Sequence, residues 1–571
     1  MHKESNLTKV AIIGGGPTAL LMFKRLLSSQ QKNFSVAIFE KKQLLGAGMP
    51  YSRDGARDEH ITNVSGNEIP DLSSSVEAWI STEHRDTLDR FHLDAKHFND
   101  YKVLPRLLFG RYLSDQFQLL LKQASMMGID VDVHYGSKVI DIIDDPKHRM
   151  TTVVCNNGQF QYDRVIICSG HHWPQNREGK IKNYFDSPYP PEKIALRTNH
   201  PVAIRGSSLT AIDAVRTLAR SNGTFSKDEN GKIGYTLNPG SENFSMTMHS
   251  RNGLLPAVRF HLEDPHLSKG SVLEQSEVSR VRDEHEGFLP LDYVYKRNFL
   301  EPLQKTDPDF YASIAQLSME EFVETMMLHR ESVPAFELLA QELQEAAQSI
   351  KQRTSVNWKE MLAVLSFAMN YPAKHFSAED MERLKKTLMP LISVVIAFAP
   401  QGSVNEMMAL HEAGLLDIIS VGEENTIEVL GDQGIIYRYK NDQGAEIAKE
   451  FPLFIDAIGQ PHLQKDDLPF PSLLANATVS TALLKFKDQQ LAAKRSQEGD
   501  ESVVKSIDGL FYSKVPGIAI NDNFQVLDVY GAANQRIYML AVPYIGGYNP
   551  DFSGLDFGEA ASERVLNAIF N

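Results

Sequence analysis

Residues 9–40 constrain this chain more than any other stretch. Lys9-Val10-Ala11-Ile12-Ile13 is a short apolar run that ends in Gly14-Gly15-Gly16. From Pro17 to Ser28, Leu20, Leu21, Phe23, Leu26 and Leu27 recur at helical spacing, and proline suits a first helical turn. Ser35-Val36-Ala37-Ile38-Phe39-Glu40 is a second apolar run closed by an acid. Strand, glycine turn, helix and strand make a βαβ unit. Within it Gly14, Gly16 and Ala19 fit G-x-G-x-x-A. The first glycine permits the tight turn. The second leaves room for a pyrophosphate against the backbone, and the alanine lets helix and strand pack closely. Gly15, Pro17 and Thr18 complete the loop, whose free N–H groups face an anion at the positive helix end. Glu40, followed by Lys41, stands roughly two dozen residues past Gly14, near the about 20 usual for such units. An acid there accepts hydrogen bonds from ribose hydroxyls and repels a 2′-phosphate. The first turn therefore suits FAD or NAD, not NADP.

A second unit begins at Pro201. Val202-Ala203-Ile204-Arg205 reads as a strand, Gly206-Ser207-Ser208-Leu209-Thr210-Ala211 as the turn, and Ile212 to Ala219 as helix. Ser208 replaces the middle glycine, and its hydroxyl suits a phosphate. The next strand, Phe244 to His249, ends in Ser250-Arg251, where the first unit carries Glu40-Lys41. Arginine with serine at that place fits the 2′-phosphate of NADPH through charge and bidentate hydrogen bonds. An acid-type turn followed by an arginine-type turn points to FAD held in the protein and NADPH arriving as co-substrate.

A chain of 571 residues exceeds one ordinary core. Residues 1–195 with 505–571 are assigned to an FAD-binding domain, and 196–270 with 390–465 to an NADP-binding domain. Between them, residues 271–389 are rich in Glu, Gln, Leu and Met and poor in glycine, which predicts a helical insertion that shapes the substrate site. The charged stretch within 466–504 reads as a linker. The expected class is α/β, two Rossmann-like units with a mostly helical insertion. With 58 basic against 73 acidic residues the chain is a poor match for nucleic acid. Two cysteines, Cys155 and Cys168, make neither a CxxC pair nor a multi-cysteine metal site. No signal peptide and no run of about 18 apolar residues is visible, so the expectation is a cytoplasmic protein without a membrane span. The oligomeric state is left open.

Three further segments carry a family resemblance. Leu45-Gly46-Ala47-Gly48-Met49-Pro50-Tyr51-Ser52 resembles a G-x-G-x-[AP]-Y-S loop, His60-Ile61-Thr62-Asn63-Val64 an LLNV segment, and Leu104-Pro105-Arg106-Leu107-Leu108-Phe109-Gly110-Arg111-Tyr112-Leu113 a PRxLYGxYL helix start. With both turns, these are similar to the bacterial FAD/NAD(P)-binding flavoproteins, a group resembling the N-hydroxylating and Baeyer–Villiger type monooxygenases. The resemblance implies Gly48 and Asn63 near the flavin. It also implies a helix start at Asp556-Phe557, beyond Gly546-Gly547, at the flavin's pyrimidine end. Arg106 is expected either to meet a cofactor phosphate or simply to start a helix. Gly170 ends a strand at a cofactor crevice, and the His171-His172-Trp173 after it reads as packing or linker ahead of nucleotide contact. The implied activity consumes NADPH and molecular oxygen, passing one oxygen atom from a C4a-hydroperoxyflavin to a small nucleophilic substrate such as an amine. Rival readings are a reductase or dehydrogenase without oxygen transfer, and a flavin-binding interaction protein. No catalytic side chain and no metal ligand set stands out.

Overall fold

The computed structural model describes residues 7–263, 270–431, 434–441, 443–551 and 554–570. The first sheet has six strands in the order Gln525–Leu527, Ala533–Met539, Arg164–Ile167, Thr8–Ile13, Phe34–Phe39 and Val131–His134. All neighbours run parallel except the edge pair of Gln525–Leu527 with Ala533–Met539. Val10, Ala11, Ile12, Val165, Ile166 and Ile167 have no exposed surface, which is why these strands are uninterrupted apolar runs. Helix Pro17–Ser28 packs beside the C-terminal helix Leu555–Phe570, where Lys24 and Arg25 both pair with Glu559.

The second sheet has five parallel strands, in the order Tyr184–Phe185, Leu453–Asp456, Pro201–Arg205, Ser245–Ser250 and Leu416–Ser420. Each unit also carries a three-stranded antiparallel meander directly before one of its inner strands. In the first it is Val139–Asp145, Met150–Cys155 and Gly158–Tyr162, and in the second Thr426–Val429, Ile435–Lys440 and Glu446–Phe451. The two units thus repeat one plan, and both sheets turn their carboxyl ends to the nucleotide turns, as open α/β sheets do.

Residues 275–395 are helical, from Gln275–Glu284 through Met319–Glu331, Ala335–Gln352 and Asn357–Met369 to Met389–Val395. The insertion is not an appendage. Phe299, Phe322, Leu362 and Leu365 belong to the core of the first unit, and Phe336, Leu339, Ala346 and Ala363 to that of the second. Inside it, the buried carboxylate of Glu342 takes both Arg330 at 2.7 Å and Lys359 at 2.9 Å.

Residues 466–504 are not the linker that their charge suggests. Strand Thr481–Lys485 and strand Val503–Lys505 flank strand Phe511–Ile518 in a small antiparallel sheet, with helix Gln489–Gln497 between them. A few apolar side chains suffice for this: Leu484, Phe486, Ala492 and Val503 are buried. The charges lie outside, where Arg495 bridges Glu382 and Asp500, each at 2.8 Å. Among the described residues no helix is long and apolar enough to cross a membrane.

Candidate dinucleotide and redox site

The first turn is fixed by backbone contact. Gly14 has φ +101°, and a Cβ there would lie 2.7 Å from the Cys168 carbonyl oxygen. Its N–H donates to Phe39 O at 2.8 Å, and Cys168 N–H donates to Ile13 O at 2.8 Å. The glycine is therefore wedged between the ends of three adjacent strands. Gly16 is the N-cap of helix Pro17–Ser28, with no side chain capping the helix. A Cβ on Gly16 would meet Gly48 Cα at 3.4 Å, so Gly16 and Gly48 (φ +60°) face each other across a side-chain-free slot. Beside it Ser169 Oγ is buried without a partner. Glu40 is buried, and its carboxylate accepts from Gly15 N–H at 2.8 Å and Lys42 N–H at 2.9 Å. A carboxylate has about four acceptor sites, so two bonds orient it and leave capacity for ribose hydroxyls.

The second turn repeats this geometry residue for residue. Gly206 has φ +109°, its Cβ would lie 2.6 Å from Ala457 O, and its N–H donates to His249 O at 2.7 Å. Ser208 stands where Gly16 stands, with N-cap angles of −88° and −166° against −82° and −166°. Ser207 Oγ donates to Leu254 O at 2.7 Å, and Leu209 and Thr210 open the helix Leu209–Asn222. The register Arg205↔His249 matches Ile13↔Phe39. Ser250 and Arg251 therefore occupy the places of Glu40 and Lys41. Ser250 Oγ is buried without a partner. The Arg251 side chain is 70% exposed, with Glu423 only at 3.8 Å.

The structure commits other anticipated residues elsewhere. Arg106 does not reach out to a phosphate. Its guanidinium donates to Asp213 and, from Nε, to Ile61 O at 3.1 Å, while Tyr189 Oη donates to the same Asp213 oxygen at 2.6 Å. Burial is the largest single influence on Asp213 and opposes its charge, but Arg106, His60 and Tyr189 together outweigh it and hold the carboxyl below its ordinary value. Asp213 lies in the helix of the second turn, so this cluster joins the two units. Next to it His60 Nε2 lies 3.0 Å from Thr217 Oγ1. Asn63 uses its backbone carbonyl to accept from Arg259, which is buried against Glu68 and Ser65. Gly547 is a packing glycine, since a Cβ would strike Pro516 O. Phe557 is a core residue set edge-on to Phe524. Gly170 and Lys41 are exposed. Arg106 lay in a motif, but nothing in the sequence pointed to its partners Asp213 and Tyr189, nor to Arg259.

Asp556 sits in the first turn of helix Leu555–Phe570 with its Oδ1 buried and unpartnered. Burial, reinforced by Glu68, Asp551 and Glu559, pushes its carboxyl up to about 7. A carboxyl raised by folding stabilises the protein fully below its unfolded value near 4, and that contribution is lost as pH rises through about 7. The FAD-free protein is therefore expected to lose up to about 4 kcal/mol from this group between about pH 4 and 8. Asp556→Asn should flatten that part of a urea-denaturation profile against pH. An unchanged profile would show that Asp556 ionises freely.

Residues 11–172 match the FAD-NAD(P)-binding family model, and residues 274–396 match the YdhS-like middle domain. The first of these matches lies within the first unit. The chain is 29% identical over 469 residues to the "Uncharacterized protein YdhS" of Escherichia coli (strain K12), covering 82% of this chain and 86% of the relative. Solved structures similar to it include the ornithine hydroxylase of Pseudomonas aeruginosa (11% identity, 98% of each chain, TM-score 0.47). Another is the ornithine N-hydroxylase of Kutzneria sp. 744 (12% identity, 98% of each chain, TM-score 0.45). FAD fits the first unit on its own geometry. Gly16 packs against Gly48, where a Cβ would strike Pro17, the helix start is uncapped, Ser169 Oγ is unsatisfied, and Glu40 is oriented.

Proposed function

We propose that this chain is an FAD-dependent, NADPH-consuming oxidoreductase that transfers one atom of dioxygen to a small nucleophilic substrate such as an amine. In this reading residues 1–195 with 505–571 hold FAD, 196–270 with 390–465 hold NADPH, and the helical insertion shapes the substrate site. The observation that carries it is the pair of turns with one backbone geometry and opposite partners, Glu40 behind the first and Ser250-Arg251 behind the second. The flavin, when bound, supplies the redox chemistry. The protein binds FAD at Gly14–Ala19, holds the ribose at Glu40, and receives the 2′-phosphate at Ser250 and Arg251. Such a reaction needs no strong side-chain acid.

The test is flavin bleaching by NADPH without oxygen, followed by admission of oxygen and analysis for oxygenated product. No bleaching removes the NADPH assignment. Bleaching followed only by hydrogen peroxide, with every amine tried, favours a reductase or dehydrogenase.

Arg251 permits a sharper check. Its contact with Glu423 is long and exposed, and such pairs contribute little, so the guanidinium is available to a phosphate. Arg251→Ala should raise KM for NADPH about 10- to 100-fold, the value of a charge-assisted contact. KM for NADH should stay as it was. Equal loss with both coenzymes would place Arg251 away from the 2′-phosphate.

A further inference from the structure

A cleft of about 300 Å³ lies where the short helix Arg85–Arg90 meets helix Arg106–Met126 and the chain that follows Tyr51. Backbone packing sets its position. A Cβ on Gly110 would overlap Tyr51 O, so the long helix touches the loop there. Leu107 and Arg111 flank that contact one turn apart and share a helix face. Arg53 follows two residues after Tyr51. The short helix contributes Asp86, Thr87 and Arg90, with Phe91 at its end. Among the described residues that line the cleft, none belongs to either glycine turn or to the Ser250-Arg251 pair.

Three of these side chains are arginines and one is an acid, in a chain whose net charge is −15. The three are not equally free. Arg90 is committed: it takes both Asp58 oxygens, at 2.6 and 3.1 Å, and lies 5.1 Å from the centre of the Phe91 ring. Arg111 is anchored with capacity left over. Its Nε pairs at 3.0 Å with Glu83, whose side chain is 3% exposed, and its Nη1 donates to Thr87 Oγ1 at 2.9 Å, which leaves Nη2. Arg53 is 62% exposed and reaches Asp58 only at 3.5 Å, where Arg90 already holds the carboxylate. One fixed guanidinium beside one free guanidinium suits an oxyanion, which such forks bind through paired hydrogen bonds. Phe91 and Leu107 supply an apolar wall. Ligand charge follows from the acids. Asp58 and Glu83 offset two of the arginines, and Asp86 opposes any anion from the wall. Attraction scales with ligand charge, so a dianion is favoured over a single carboxylate.

We propose that this cleft binds a phosphate monoester, with the phosphate held by Arg53 and Arg111 and the organic part laid on Phe91 and Leu107. The site is separate from the two nucleotide turns, and it stands or falls independently of the redox reaction proposed above.

Phenyl phosphate and inorganic phosphate are the probes. Each is titrated calorimetrically into purified protein carrying Arg251→Ala, so that the 2′-phosphate position of the second unit does not compete. Phenyl phosphate should bind saturably at millimolar concentration or below, and more tightly than inorganic phosphate. Arg53→Met, at an exposed position where folding is not at stake, should weaken Kd about tenfold or more, the loss of one charge-assisted contact. Asp86→Asn should tighten it about two- to fivefold by removing a like charge at the surface. Arg85→Met makes the same charge change at a 91% exposed arginine of the same helix, outside the cleft lining, and should bind like the parent. Four outcomes overturn the proposal: no saturable binding of phenyl phosphate, parent-like binding by Arg53→Met, an equal loss in Arg85→Met, or weaker binding by Asp86→Asn. Equal affinity for inorganic phosphate would overturn the ester and its apolar contact.

Discussion

Gly14→Val is expected to yield a folded protein that purifies without FAD. The position requires φ +101°, which costs an L-residue about 1–2 kcal/mol. The steric obstacle is greater still. A Cβ 2.7 Å from Cys168 O cannot be relieved by a side-chain rotation, because its neighbour is backbone. That backbone is held by Cys168 N–H to Ile13 O and by Gly14 N–H to Phe39 O. Relief must come from the turn itself, which swings the helix-start N–H groups away from the phosphates. FAD affinity should fall by more than about 200-fold, beyond the roughly 1.5–3 kcal/mol of a single charge-assisted bond. Gly206→Val meets the same obstacle at Ala457 O in the second unit. It should keep FAD and lose reduction by NADPH. Flavin absorbance per protein and anaerobic bleaching read the two effects separately. Stoichiometric FAD in Gly14→Val would remove the first turn as the FAD anchor.

Asp213→Ala should be the most destabilising single change at the junction of the units. It strips the buried Arg106 of its counter-charge and leaves Tyr189 Oη without its acceptor. Breaking a buried pair from one side typically costs about 3–5 kcal/mol. That loss should appear as a lower urea midpoint with an unchanged slope. The double variant Arg106→Met with Asp213→Leu should recover much of it, because no unpaired charge remains. A loss below about 1 kcal/mol for Asp213→Ala would mean that water reaches Arg106.

What could be read from residues alone was backbone constraint. Gly14 and Gly206 show in the sequence because no other residue fits a positive φ against a neighbouring carbonyl, and Glu40 and Arg251 then follow from strand length. Side-chain partnership across long separations leaves no such trace. Asp213 stands among Ile212, Ala214 and Val215 like any polar residue on a helix, and its partner Arg106 is far back in the chain. The same blindness left Arg106 undecided between a phosphate contact and a plain helix start, and it is the latter, opening helix Arg106–Met126. Gly110 in that segment has a plainer purpose: a Cβ there would overlap Tyr51 O, so helix Arg106–Met126 can lie directly on the Gly46–Ser52 loop. The reading of 466–504 as a linker failed because charged residues outnumber the few buried ones that pin its sheet.

The first sheet places strand Ala533–Met539 directly beside Arg164–Ile167. Almost the whole second unit and the insertion are synthesised between these neighbours. On a ribosome the N-terminal strands must wait, with one edge of Arg164–Ile167 open, until the last tenth of the chain emerges. The second sheet closes earlier, once Leu453–Asp456 has been made. Vectorial synthesis therefore favours completing the second nucleotide unit first, with the insertion already seated against it, before the last strand seals the first. Removing the C-terminal residues from Ala533 onward should accordingly expose an aggregation-prone sheet edge in the N-terminal half, although every residue of the first glycine turn would still be present.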